Sequence, residues 1–255
     1  MKKKTKRVLS LILLIILVAV GSSQISAWLP TIGDHSAPAH QDVSSYYIIN
    51  APGQTHSPNL VTAVLADYRG FDTLFETCVL FLSGTATLII LSSKEKVKKS
   101  HKTMKEIANK SEFGGRILDA SFRIIVPMVM LYGLYVLFHG EVSLGGGFQA
   151  GALIASAHLL ERLIPSFYTR IGNINEETAV IIAGLGAAIY AFTGILSVLN
   201  GGNFLEYGML PFGEQGAGHL HSMGIFMVEC GVTVCVAAVI IDIFESILER
   251  THFDD

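Results

Sequence analysis

An all-α, polytopic membrane protein with about six spanning helices and both termini in the cytoplasm is the architecture that three features predict. Apolar residues fill 51% of the 255 positions, and the mean hydropathy is +0.51. Charged residues make up only 15%, against roughly a quarter in soluble domains. The apolar residues fall in runs long enough to cross a hydrocarbon layer of ~30 Å, and almost every lysine and arginine lies between those runs.

The first run, from Val8 to about Trp28, follows the basic start MKKKTKR. A secretory signal begins in the same way, but Ile25 is too large for a cleavage site ending at Ala27. A retained anchor is the expectation, closed by Pro30 and with Trp28 as an interfacial aromatic. Residues 30–58 then read as a polar loop rich in Pro, Ser and His. A second apolar run starts at Leu60, is interrupted by DYRGFD at 67–72, resumes at Thr73 and reaches about Leu91. From Lys94 to Arg116 there are seven lysines and one arginine, which marks a cytoplasmic linker suited to anionic lipid. The sequence thus divides into a two-helix module at 1–93, a basic linker at 94–116 and a four-helix module at 117–255.

The second module has apolar runs at about 117–138, 146–164, 178–199 and 219–248. Pro127 predicts a kink in the first of them. Tyr132 and Tyr135 read as packing residues, and Arg123 as an anchor snorkelling to the cytoplasmic surface towards Asp119. The positive-inside rule supports this topology. The N-terminus, the linker, the 162–176 loop and the C-terminal tail hold every lysine and arginine except Arg69 and Arg123, and loops 29–59, 139–145 and 200–218 hold none.

Ionisable groups inside apolar runs cost several kcal/mol unless they are paired or hydrated. Asp67, Arg69, Asp72 and Glu76 read as one string over three turns of a helix, with Arg69 three before Asp72 and Glu76 four after it. Such a string suits either a cation or proton site or a structural ion pair. Glu229 lies near the middle of the last run, beyond His219 and His221, with no partner in its own helix. It is expected to be protonated, paired with another subunit, or exposed to water in a path. His158 and Glu161 suit either a proton relay or an interfacial pair, and Asp242 and Glu245 read as interfacial. In the outward turn HGEVSLGGGFQAG, His139 and Glu141 sit at the membrane boundary and the glycines let two helices turn tightly.

Several classes are excluded. Cys78, Cys230 and Cys235 form no CxxC pair, so no disulfide framework, zinc site or iron–sulfur ligation is indicated, and they read as small packing residues. GGGFQAG lacks the lysine and spacing of a phosphate loop. There is no catalytic motif and no nucleic-acid surface, and no cofactor is expected.

The stretch FRIIVPMVMLYGLYVLFHGEVSLGGGFQAGALIASA at 122–157, with HLHSMGIFMVECGVTVCVAAVIIDIF at 219–244, resembles the MnhB-type component of Mrp-type multisubunit sodium/proton antiporters. SYYI at 45–48 and NLVTAVLADYRGFDTLFETCVLF at 59–81 resemble the small MbhE-type component of archaeal membrane-bound hydrogenases and the C-terminal end of the large MrpA component. Glu141 and Leu144 replace the second histidine and the proline of the common HGHxxPGGGF pattern. The resemblance implies a non-catalytic cell-membrane subunit whose partners are the other subunits of such a complex, moving Na+ and H+. It fits a plain antiporter, a ferredoxin-linked hydrogenase-type complex, or a subunit that only braces its neighbours.

Overall fold

The structure, a computed structural model, describes residues 2–26, 29, 33–34, 36–37, 40–92, 115–162, 176–212 and 216–251. The basic linker, the loop around 163–175, Trp28, Pro30 and the Asp119 side chain, on which several expectations rest, lie outside the described residues. No strand occurs among the described residues.

Two compact units are present, Met1–Tyr46 and Tyr47–Asp255. The first contains helix α1, Lys2–Ser26. Its residues Leu11, Leu13, Ile15 and Leu17 are all exposed, and a helix apolar all round belongs in lipid. After it, Ser36 donates to Asp34 from both its amide and its hydroxyl, at 2.8 and 2.7 Å. The Ser36 hydroxyl, with the amide behind it, holds this exposed carboxyl below its ordinary range. The expected loop at 30–58 needs correction, because Val43–Gln54 forms helix α2, which continues into the second unit. The polar neighbours of this run masked its helical core, SYYIINA.

In the second unit, a short turn at Leu60–Thr62 runs into a single π-helical segment, Ala63–Tyr68. The main helices follow: α3, Gly70–Ser92; α4, Gly115–His139; α5, Gly147–Arg162; α6, Glu176–Leu199; and α7, Ala217–Thr251. Helix α4 runs unbroken through Pro127. Four stretches are long and apolar enough to cross a membrane: Gly70–Leu91, Ala120–His139, Thr178–Leu199 and Gly218–Ile247. The apolar part of α1, Ser10–Ile25, and the 16-residue α5 match the other two expected segments but are shorter.

Helix α7 is the axis of the second unit. It packs against α3, α5 and α6, and 67% of its spanning stretch is buried, against 11% for α3. Small residues make the close approaches, as expected where lipid offers no hydrophobic drive between helices. A Cβ on Gly186 would sit 2.6 Å from the Gly231 carbonyl, and one on Gly151 would sit 2.8 Å from that of Thr233. Gly147 meets Glu229 and Gly151 meets Thr233, equal steps of four, so α5 and α7 run in the same direction. Tyr132 and Tyr135 do not pack in the core as expected. They are 57% and 51% exposed, stacked on each other, with His139 stacked on Tyr135.

Candidate ion site

The expected helical string from Asp67 to Glu76 is broken in the structure. The π-helical segment ends at Arg69, whose φ of −117° and ψ of 30° are not helical, and α3 starts afresh at Gly70. A helix end inside a membrane leaves carbonyls that only protein can satisfy. Here side-chain hydroxyls do so. Tyr207 donates to the Ala66 carbonyl at 2.7 Å, Tyr190 to that of Gly70 at 2.8 Å, and Thr73 to that of Leu65 at 2.7 Å. Tyr207 comes from a 3-10 turn, Tyr207–Met209, in the loop before α7. Burial, followed by the charges around it, pushes its phenol well above the ordinary tyrosine value, so it stays a donor.

The break separates the string into groups with different partners. Asp67 turns to His221 of α7, with Oδ2 2.6 Å from Nδ1. Arg69 pairs with Asp72 at 2.6 Å, on the exposed side of the segment. Glu76 is exposed on α3, away from that pair. The geometry therefore bears out the Arg69–Asp72 spacing and corrects the placement of Asp67.

The glycine-rich turn is held by the segment before the break. Asn59 donates through Nδ2 to the carbonyls of Gly140 and Ser143 at 2.8 and 2.6 Å, and Thr62 donates to Gly140 at 2.7 Å. Ser57 and the Asn59 amide donate to the Glu141 carbonyl. The Glu141 carboxylate accepts from Ser222 of α7 at 2.6 Å. Helix α5, at 16 residues, is about 24 Å long, short of the ~30 Å hydrocarbon layer. The irregular backbone before it therefore lies within membrane depth, which is tolerated where protein covers it.

Below that turn lies Glu229, about 16 Å along α7 from Gly218. Gly146 has a φ of +143°, and a Cβ there would stand 3.1 Å from Glu229 Oε2. Glycine is thus needed twice, for the backbone and for the approach of the carboxylate. The Gly147 amide, at the positive end of α5, faces the same carboxylate. Oε2 is sealed from solvent and has no hydrogen-bond partner among the described residues. A cavity of about 110 Å³ opens beside it, lined in part by Thr62, Thr73, Gly146, Phe148, Tyr190 and Glu229.

The structure thus brings Asp67, His221, Glu141 and Glu229 to one side of α7, around the break. His139 stays on the outer surface of α4, and His219 is exposed one turn above the pair. His158 and Glu161 lie at the other end of α5, both 3% exposed. Asp242 and Glu245, expected at the interface, are buried at 3% and 6%, because α7 is central along its whole length. The sequence reading missed Asn59, Thr62, Thr73, Tyr190, Tyr207 and Ser222, whose roles depend on a break that no composition signal marks. Cys235 is fully buried, and all three cysteines are free. No group of three or more His, Cys, Asp or Glu suited to a metal ion occurs among the described residues.

Residues 117–242 match the family model described as a domain related to the MnhB subunit of Na+/H+ antiporter, and residues 7–108 match the MbhE model, a component of MBH. An uncharacterised protein of Methanocaldococcus jannaschii is 29% identical over 66% of this chain and 66% of its own length. The putative antiporter subunit mnhB2 of Staphylococcus haemolyticus is 29% identical over 50% of this chain and 89% of its own. A Na(+)/H(+) antiporter subunit of Bacillus subtilis, of the same MnhB type, is 24% identical over 50% and 94%. Among solved structures, a chain of the membrane-bound sulfane sulfur reductase, an archaeal respiratory membrane complex, superposes with a TM-score of 0.67 and 29% identity, over 95% of this chain and 98% of that one. A chain of the Mrp complex from Dietzia sp. shares the fold, with a TM-score of 0.65 and 23% identity, over 93% of this chain and 25% of that one.

Proposed function

We propose, for a chain that joins an MbhE-type segment to an MnhB-related domain, that it is a non-catalytic membrane subunit of a multisubunit sodium/proton antiport module. In that module it lines the outer part of an ion path. The observation that carries the reading is the convergence of a broken helix, a glycine turn and a carboxylate on one cavity. Broken helices in transporters supply such sites because their free backbone ends face the ion. Asp67 with His221, and Glu141 with Ser222, form the polar approach. Glu229 is the acid at its end. Beyond it Val232, Val236 and Val239 are all buried, so an ion leaves this chain sideways, into a neighbouring subunit.

The driving reaction has two forms. In a plain antiporter the proton gradient drives sodium; in a respiratory complex, electron transfer in other subunits does. The second form is favoured by the superposition with the sulfane sulfur reductase chain, which spans both segments of this protein. The antiporter subunits of Staphylococcus and Bacillus align with only half of it. Genes for redox subunits beside this one would select the respiratory form.

The test is sodium efflux in a strain lacking its own antiporters, carrying the complete complex with Asp67→Asn or Glu229→Gln. Both variants should assemble and lose efflux. Unchanged efflux in an assembled Glu229→Gln complex would contradict the conducting role and leave a bracing subunit.

A further inference from the structure

We infer that the cavity beside Glu229 is a binding site for one monovalent cation, Na+ or Li+, at which the ion and a proton compete for the same carboxylate. The inference rests on the antiport reading above and adds the identity of the ligand and of the atoms that hold it. Its first support is the carboxylate. Glu229 Oε2 is buried beside the cavity without a protein partner among the described residues, and a carboxylate so placed must take up either a proton or a cation.

The second support is the direction of the hydrogen bonds around the cavity. Thr73 spends its proton on the Leu65 carbonyl, Thr62 on that of Gly140 and Tyr190 on that of Gly70. A hydroxyl that has donated its proton has only lone pairs left. Thr62 keeps one, since it also accepts from Asn59. The lining therefore offers oxygen acceptors to whatever enters and no lysine or arginine. An anion finds little to hold it there, and a hard cation finds oxygen ligands.

The third support is charge. Around Glu229 the ionisable groups are Tyr190 from α6, Tyr207 from the loop, Cys230 on α7, Glu76 on α3, and Asp67 at the break. Asp67 is matched by His221, Glu141 is held by Ser222, and Glu76 is exposed on α3. One carboxylate remains at the cavity, which balances a single positive charge. Calcium or magnesium would ask for more carboxylates or a retained water shell, and the His/Cys sets of transition metals are missing among the described residues. The volume of about 110 Å³ leaves room for an ion with water, since one water needs only ~15 Å³ by that measure.

The experiment uses the intact complex and a hydrophobic carbodiimide, which modifies protonated buried carboxyls, with the extent at Glu229 read by peptide mass spectrometry. Sodium or lithium chloride should slow modification of Glu229 several-fold relative to choline chloride at equal ionic strength. The half-protecting sodium concentration should fall about tenfold for each unit of rising pH in the acidic range, as competition with one proton requires. Thr73→Val, close in shape, should raise that concentration several-fold while Glu229 remains modifiable. Equal rates in sodium and choline would overturn the site, and so would a Glu229 that stays unmodified in choline at acid pH. Exchange measured on the same complex separates the two readings. Exchange without sodium protection of Glu229 overturns the site alone, and protection in a complex whose exchange survives Glu229→Gln overturns the conducting role alone.

Discussion

Asp67 and Glu229 carry the same functional group in different company. Asp67 is held by His221 at 2.6 Å; Glu229 has an oxygen with no partner among the described residues. Asp67→Asn removes a charge-assisted hydrogen bond of about 1.5–3 kcal/mol, and flux assays on the assembled complex should show a roughly ten- to hundredfold loss. Tyr207 acts through the backbone. Tyr207→Phe leaves the Ala66 carbonyl unsatisfied, and the melting temperature should register a loss of about 1–3 kcal/mol. Its phenol also has a sign in pH. The folded value is raised above the ordinary 10.0, so its contribution is complete below pH 10 and is lost as pH rises towards the folded value. Stability measured above pH 10 should therefore fall more steeply for wild type than for Tyr207→Phe. Parallel curves would remove the tyrosine from the account.

Among the elements, the π-helical segment and the glycine turn decide where those residues point. One extra residue in a turn has no signature in composition or hydropathy, which is why Asp67 through Glu76 read as one helical string. Asp67 and His221 are 154 positions apart, beyond any local pattern. Tyr190 and Tyr207 read as apolar residues until the broken backbone gives their hydroxyls something to hold. The spanning helices were legible because hydropathy and lysine placement are properties of long segments, whereas α2 was hidden by its polar flanks. The intramembrane acids were legible one by one, because charge in an apolar run is costly wherever its partner comes from. At the turn, a Cβ on Gly147 would stand 2.5 Å from the Glu229 carbonyl. Gly147→Ala must therefore part α5 from α7, at a cost of about 1–3 kcal/mol. Gly146→Ala places a methyl against the carboxylate and strains a φ of +143°. It should reduce exchange more than it reduces assembly, as judged by flux and by recovery of the purified complex.

For the whole molecule, charge distribution and hydropathy argue for a protein threaded through the membrane with its loops of opposite character on opposite sides. Leu144, 91% exposed in the glycine turn, gives a direct check. In intact cells Leu144→Cys should react with a membrane-impermeant maleimide, while a cysteine placed after residue 251 should react only once the membrane is opened. The reverse pattern would invert the topology and with it the direction of the path. Large apolar residues of α3 and α4, such as Phe75, Val79 and Leu131, remain exposed on this chain, as befits helices that meet lipid or other subunits. The claim that matters most is that Glu229 takes part in ion movement. Its most direct test is proton-gradient-driven sodium uptake by the purified complex in liposomes, comparing wild type, Glu229→Asp and Glu229→Gln. Partial activity with aspartate and none with glutamine is the result expected here; full activity with glutamine in an intact complex would contradict it.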